Sequence, residues 1–280
     1  MTRTRERTQG NYWPFMKGLA QMHLLLVNDD GIMAKGILAI AQHVSQFATV
    51  TVVAPDRQQS ATSHSITLHK PLHVDEVDLH LGPRHRAFAV NGTPADCVKL
   101  GIGALCSESP PDLVVSGINA GPNLGLDIIY SGTASAAAEA VLLGIPAIAV
   151  SRTGSEPYDY EAAVLVSELL IKKAASHGLP ELTYLNVNVP PRSYDDLSGI
   201  VITRTGIRKY HNNYDRRVDP LGRTYYWQAG KAIKLHNGPD TDVHAIEQGM
   251  VSVTPIHLDF TNGSLLATLH AWELSLAPSS

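Results

Sequence analysis

Two aspartates stand side by side at Asp29 and Asp30, near the end of the stretch LLLVNDDGI, Leu24 to Ile32. Like charges placed together repel, and a pair in a partly dry site is tolerated when a cation lies between them. Four consecutive apolar residues lead into the pair, so it sits where a buried strand would end. Taken alone, the pair is explained equally well by one carboxylate capping a following helix and the other facing solvent. Other oxygen-bearing residues tip the balance. In an open α/β sheet, ligands bind beyond the carboxyl ends of the strands. The second strand ends at Asp56, with Ser60 a few residues on. DLVVS, Asp112 to Ser116, runs into SGINAG and then Asn123, which brings Asn119 to the same edge. Carboxylate, hydroxyl and amide oxygens, with no histidine or cysteine among them, suit Mg²⁺, Mn²⁺ or Ca²⁺ rather than structural zinc. A small ligand set at a solvent-open edge leaves positions for water and substrate, as a catalytic ion requires.

The stretch SGTASAAAEA, Ser131 to Ala140, adds a second kind of chemistry. Ser131, Gly132 and Thr133 open a helix of small residues and offer backbone N–H groups and two hydroxyls to an anion. In isolation an ordinary N-cap accounts for them. Beside a cation edge they read as a phosphate pocket, and the two together point to hydrolysis of a phosphoester.

These residues need elements to position them. His23–Asn28 is apolar at consecutive positions, as in a strand covered on both faces. Gly36–Phe47 carries Ile37, Ile40, Ala41 and Val44 on one helical stripe. Ala48–Ala54 is a second strand, which completes a βαβ unit. Short strands follow around 72–77 and 86–90, and a helix runs from Pro94 or Ala95 to Leu105. Strands at Asp112–Ser116, Ala147–Ser151 and Tyr184–Val189 alternate with helices at Ser131–Leu143 and Tyr160–Ser176. The alternation predicts a Rossmann-like, doubly wound, mostly parallel sheet over residues 22–198. From Gly199 the texture changes. Ile200–Arg204 and Thr224–Trp227 read as an antiparallel hairpin or arm. A short helix at Thr241–Gln248, a strand at Met250–Pro255 and a terminal helix at Leu266–Leu276 complete residues 199–280. This part belongs to the same domain and reads as an arm that covers the sheet edge or reaches a partner subunit.

Composition sets the outer limits. The chain has 280 residues, 44% hydrophobic and 17% charged, with a formal net charge of -4. A dedicated nucleic-acid binder would carry a basic excess, so a nucleic acid polymer is not expected as a partner. The apolar window Ala134–Val150 is broken by Glu139 and Pro146, so no membrane span is expected. Two cysteines, Cys97 and Cys106, are too few for a disulfide framework and fit reduced thiols in the cytoplasm. Residues 1–21 lack an apolar h-region and read as a disordered or loosely attached extension ahead of Met22. The thirteen histidines form no zinc pattern: His69 and His73 are separated by Pro71, which forbids the helix that would align them. His64, close to Ser60, is the one histidine that could serve as an acid. GINAGPNLG does not match the dinucleotide-binding glycine pattern.

Seven segments carry a resemblance: LLVNDDGI, VVAPDRQQS, VNGTPADCV, PDLVVSGINAGPNLG, YSGTASAAAEA, LNVNVP and GMVSVTP. Together they closely resemble the SurE nucleotidases, stationary-phase survival proteins that hydrolyse nucleoside 5'- and 3'-monophosphates, and they run from Leu25 to Pro255. The resemblance implies one divalent ion per subunit, Mg²⁺ or Mn²⁺, held by Asp29, Asp30, Ser60 and Asn119, the oxygens already selected by chemistry. Asp29, Asp30 and Asn119 would carry catalysis. It further implies a phosphate pocket of Asn123, Ser131, Gly132 and Thr133, and a homodimer or homotetramer that exchanges its C-terminal arm. Short polyphosphates are a substrate class that the sequence leaves open. One departure stands out. The family's serine is usually followed by glycine, where this chain has Ala61, whose β-carbon would stiffen the loop and narrow the pocket. A receiver-like module that is phosphorylated on Asp56 is the competing reading. It lacks a lysine at a late strand end, and the chain is too long for one such module.

Overall fold

The computed structural model describes residues 18–272 and 274, apart from 158, 212, 231 and 234. Most of the N-terminal extension expected at 1–21 lies outside the described residues. His23–Val27 forms β1, and all five residues are buried. Burial on both faces follows from what covers them. Leu24 and Leu26 face a cluster with Ile37, Ile40 and Ile171, while Leu25 and Val27 face one with Cys97, Val98, Ala136 and Ala137. The first cluster draws on α1 (Lys35–Val44) and α4 (Glu161–His177), the second on α2 (Pro94–Leu100) and α3 (Gly132–Leu142). Helices on both faces make the sheet doubly wound, as the alternating sequence predicts.

The other strands are β2 (Thr49–Pro55), β3 (Val74–Glu76), β4 (Arg86–Val90), β5 (Leu113–Ala120), β6 (Ala147–Arg152), β7 (Thr183–Val189), β8 (Ile200–Ile202), β9 (Lys209–Tyr210), β10 (Tyr214–Val218), β11 (Thr224–Gln228), β12 (Ala232–Ile233) and β13 (Val251–His257). Two further helices, α5 (Asp242–Glu247) and α6 (Gly263–His270), lie in the C-terminal third. The main sheet has nine strands in the order β3-β4-β2-β1-β5-β6-β7-β13-β8. β1 pairs in parallel with β2 on one side and β5 on the other. The strand order therefore reverses beside β1, and the carboxyl edge between β1 and β5 is the topological switch point where such sheets bind ligands.

Three elements differ from expectation. The helix read through Leu105 is α-helical only to Leu100 and continues as a wider π-type turn over Gly101–Leu105. Gly101 and Gly103 weaken α-helix there. Ile200–Ile202 does not pair with Thr224–Gln228; it pairs in parallel with β13, and β11 takes β10 as its antiparallel partner. β10 was hard to see because Tyr214, Asp215, Arg216, Arg217 and Val218 are all exposed, so no period-two apolar pattern marks it. The last helix begins earlier, at Gly263, and ends at His270. No helix among the described residues is long and apolar enough to cross a membrane.

Candidate active site

β1 leads directly into Asn28, whose side chain closes the turn that carries the aspartates. Its Oδ1 accepts from the Gly31 N–H at 3.2 Å and its Nδ2 donates to the Gly31 carbonyl at 2.9 Å. Asp29 is then buried, with 5% of its surface exposed. The Thr133 hydroxyl donates to its Oδ1 at 2.7 Å. Burial pushes the Asp29 carboxyl up to about 6, the Asp30 charge adds to the rise, and hydrogen bonds from Thr133 offset part of it. Asp30 is half-buried and accepts from the Ala120 N–H at 3.0 Å. Its carboxyl is also raised by burial, against that hydrogen bond.

The other candidates converge on this pair. The Gln59 N–H donates to the Asp29 carbonyl at 2.7 Å, which ties the Ser60 loop to the end of β1. Ser60 is exposed and its hydroxyl accepts from Gln58 Nε2 at 2.9 Å. Asn119 sits beside Ala120, the residue that holds Asp30. Its Nδ2 donates to the Gly121 carbonyl at 2.9 Å, which fixes the orientation of the amide. From the opposite side comes the first turn of α3. A β-carbon on Gly132 would lie 2.7 Å from the Asp29 β-carbon and 3.0 Å from its Oδ2, so only glycine lets the helix come this close. Ser131 is the N-cap, and its Oγ accepts from the Ala134 N–H at 3.0 Å. The acidic pair at the end of β1 and the start of α3 thus lie side by side.

Asn123 is buried at the same edge, and its Nδ2 donates to Ser151 Oγ at 2.8 Å. The turn after it, Gly125–Tyr130, is anchored from the C-terminal third of the chain. Asp242, wholly buried, accepts from the N–H groups of Gly125 and Gly206 at 2.7 Å each. Arg208 and the Tyr210 hydroxyl both meet Asp127.

The donor set fits a hard divalent ion. Its atoms are all oxygens, and burial and the Asp30 charge raise the Asp29 carboxyl with no cationic side chain lowering it. Among the described residues no three His, Cys, Asp or Glu side chains gather into a metal-holding group, so a cation here would rely on the hydroxyl and amide oxygens of Ser60 and Asn119 as well as the carboxylates. His64 is elsewhere: its Nε2 meets Glu139 at 2.8 Å, and Glu139 also accepts from Lys99 at 2.9 Å. That contact is on α3, seven residues beyond Gly132, and it ties down the Ser60 loop. Ala61 is exposed, with a left-handed φ of 57°, so its β-carbon constrains the loop backbone. Sequence reasoning missed Glu139, Asp242, Ser151, Asn186 and Asn188. The signal for the last two was available, as asparagines at alternate positions of a strand that is otherwise apolar.

Comparisons with known proteins place the chain in a family. A family model described as survival protein SurE matches residues 24–212. A 5'-nucleotidase SurE of Heliobacterium modesticaldum is 49% identical over 251 residues, which cover 90% of this chain and 92% of that protein. One of Geobacter sulfurreducens is 49% identical, with 91% and 95% covered. The crystal structure of the SurE protein of Aquifex aeolicus superposes with a TM-score of 0.79 at 43% identity, covering 90% of this chain and all of that one.

Proposed function

Because the chain belongs to the survival protein SurE family, we propose that it is a 5'-nucleotidase, a phosphoric monoester hydrolase that converts nucleoside monophosphates to nucleoside and phosphate with a divalent ion held by Asp29, Asp30, Ser60 and Asn119. The observation that carries this reading is the contact of Asp29, one of the adjacent aspartates, with the first turn of α3, made by the Thr133 hydroxyl and allowed by the absent β-carbon of Gly132. When bound, a hard ion supplies Lewis-acid polarisation of the phosphoryl group and a more acidic water.

The chain's own residues do the rest. The start of α3, with Ser131, Gly132 and Thr133, places the positive end of a helix dipole and main-chain N–H groups against the phosphoryl oxygens. Thr133 holds Asp29 in a fixed orientation, and the Ala120 N–H does the same for Asp30. Asn123 closes the far side of the pocket. Both carboxylates are fixed before substrate arrives, so little reorganisation is needed during the reaction.

Finer points belong to the same proposal. The ion is Mg²⁺ or Mn²⁺, since every ligand is a hard oxygen donor. The enzyme works in the cytoplasm, which the two free, buried cysteines favour. Residues 199–280 complete the domain and join subunits into a homodimer or homotetramer. The β10–β11 hairpin supports this: a two-stranded hairpin is barely stable alone, and this one exposes Tyr214, Tyr226 and Trp227. Nucleoside 3'-monophosphates and short polyphosphates are further candidate substrates. Phosphate release from a panel of these compounds, with EDTA and then with Mn²⁺ or Mg²⁺ restored, tests the reading. Release that EDTA stops and metal restores is expected. Release unaffected by EDTA, or none with either metal, would sink it.

A further inference from the structure

A row of buried polar side chains crosses the sheet beneath the candidate site. Asn119 is opposite Ser151 across β5 and β6, and Ser151 is opposite Asn188 across β6 and β7. Ser151, Asn186 and Asn188 are fully buried. Their hydrogen bonds converge on one residue. Asn188 accepts from the Asn123 N–H through Oδ1 and donates to the Asn123 carbonyl through Nδ2, both at 2.9 Å. It therefore grips both main-chain polar groups of a loop residue, as a strand partner would. Asn186 Nδ2 donates to the same carbonyl, also at 2.9 Å.

One donor is enough to satisfy a buried carbonyl, so the second over-determines where that carbonyl points. The second donor has a cost to the fold. With its amide turned toward Asn123, Asn186 is left with a buried Oδ1 that has no partner among the described residues. A buried acceptor without a donor destabilises the native state, and an apolar residue at position 186 would avoid it. Local choices that work against stability concentrate at functional sites. What is gained here is a fixed backbone at Asn123, whose side chain is then directed by Ser151.

We propose that Asn186 and Asn188 are positioning residues for phosphoester hydrolysis, holding the Asn123 main chain, and with it the Asn123 side chain, rigidly at the pocket edge from the middle of the sheet. This rests on the reading of Asn123 as part of the phosphate pocket. β7 is suited to the task because it lies between β6 and β13, bonded on both edges.

The test uses the full-length, metal-loaded enzyme and the variants Asn186→Ser, Asn188→Ser and Asn123→Ala. Displacing a binding group by a fraction of an ångström to an ångström weakens its contribution about tenfold to a hundredfold. KM for a nucleoside 5'-monophosphate and the inhibition constant of inorganic phosphate should rise together by about tenfold in either serine variant. Mn²⁺ affinity by calorimetry should change by less than about threefold, because the clamp touches none of the proposed metal ligands. Asn188→Ser placed on Asn123→Ala should add little, since both act through one group. Wild-type KM and phosphate inhibition in a folded Asn188→Ser protein, or effects of the two substitutions that simply multiply, would overturn the proposal. So would a parallel loss of metal affinity and thermal stability, the mark of a merely structural pair. If Asn188→Ser does not fold, Asn186→Ser decides, because it leaves the Asn188 bonds in place and removes the unpaired oxygen. An Asn123→Ala protein with unchanged phosphate inhibition would show that the phosphate-pocket reading itself has failed.

Discussion

Replacing Asp29 by asparagine should stabilise the metal-free protein while removing its metal dependence. The carboxyl of Asp29 has an ordinary value of 3.8 and is pushed up to about 6 by burial and by the Asp30 charge. The folded state therefore binds this proton more tightly than the unfolded state does. The stability this contributes is fully present below 3.8 and is lost as pH rises through about 6. At about 1.4 kcal/mol per pH unit, the ionised side chain destabilises the apo fold near neutral pH by an amount on the order of 3 kcal/mol. Asparagine removes the charge and keeps an oxygen for the Thr133 hydroxyl. A gain of about 1–3 kcal/mol is expected at pH 7.5 in EDTA, where roughly 2–4 °C in Tm accompanies each kcal/mol in a chain of this size. Thermal melts of wild type and variant at fixed protein concentration, from pH 7.5 down to 4, measure it. The gap should narrow as pH falls. Saturating Mn²⁺ should raise the wild-type Tm and leave the variant unmoved. A variant no more stable than wild type at pH 7.5 in EDTA, or a gap independent of pH, would refute the electrostatic argument.

Gly132→Ala should lower kcat/KM by about a hundredfold, because the new β-carbon would displace Asp29 or the helix start; steady-state kinetics check it, and near-wild-type activity would contradict the close approach. Glu139→Gln should show the opposite pH dependence to Asp29. The His64 hydrogen bond and the Lys99 ammonium lower the Glu139 carboxyl, so its contribution is present above 4.5 and is lost as pH falls through the folded value. Wild type should therefore exceed the variant by about 1 kcal/mol at pH 7, with the difference fading in acid, as urea denaturation at both pH values would show. Ala61→Gly should leave metal dependence intact and change stability by no more than about 1 kcal/mol, since relief of the left-handed φ is offset by extra freedom in the unfolded chain. A larger loss in melting experiments would show that the alanine is packed, not merely tolerated.

The core of the fold was legible because burial on both faces leaves a plain mark: Leu24–Val27 and Leu113–Val115 are continuous apolar runs, and α1 between them keeps Ile37, Ile40, Ala41 and Val44 on one buried stripe. The candidate site was legible because its oxygen-bearing residues sit at or just beyond strand ends. Ser60 follows β2 closely and Asn119 is the next-to-last residue of β5, which brings both to the switch-point edge. Less visible were contacts made at long range by ordinary residues. Glu139 and His64 are 75 positions apart, and Asp242 meets Gly125 across 117. No local pattern announces such a pair. β10 escaped for a different reason: its residues are exposed on both faces, so the alternation that identifies a half-buried strand is absent, and Thr224–Trp227 reads as a hairpin strand without its true partner.

The place of β13 in the sheet has a consequence for how the molecule is made. Ser252–His257 pairs with Thr183–Asn188, which places the edge partner of β7 about seventy residues downstream of it. On the ribosome, β7 emerges with one flank bonded to β6 and the other open, and it stays so until the arm and α5 have been translated. An open flank of apolar strand is a template for pairing with another chain. A nascent chain that stalls before Val251 thus presents an adhesive edge, and premature stop codons between Val189 and Val251 should yield aggregates, not a shortened enzyme.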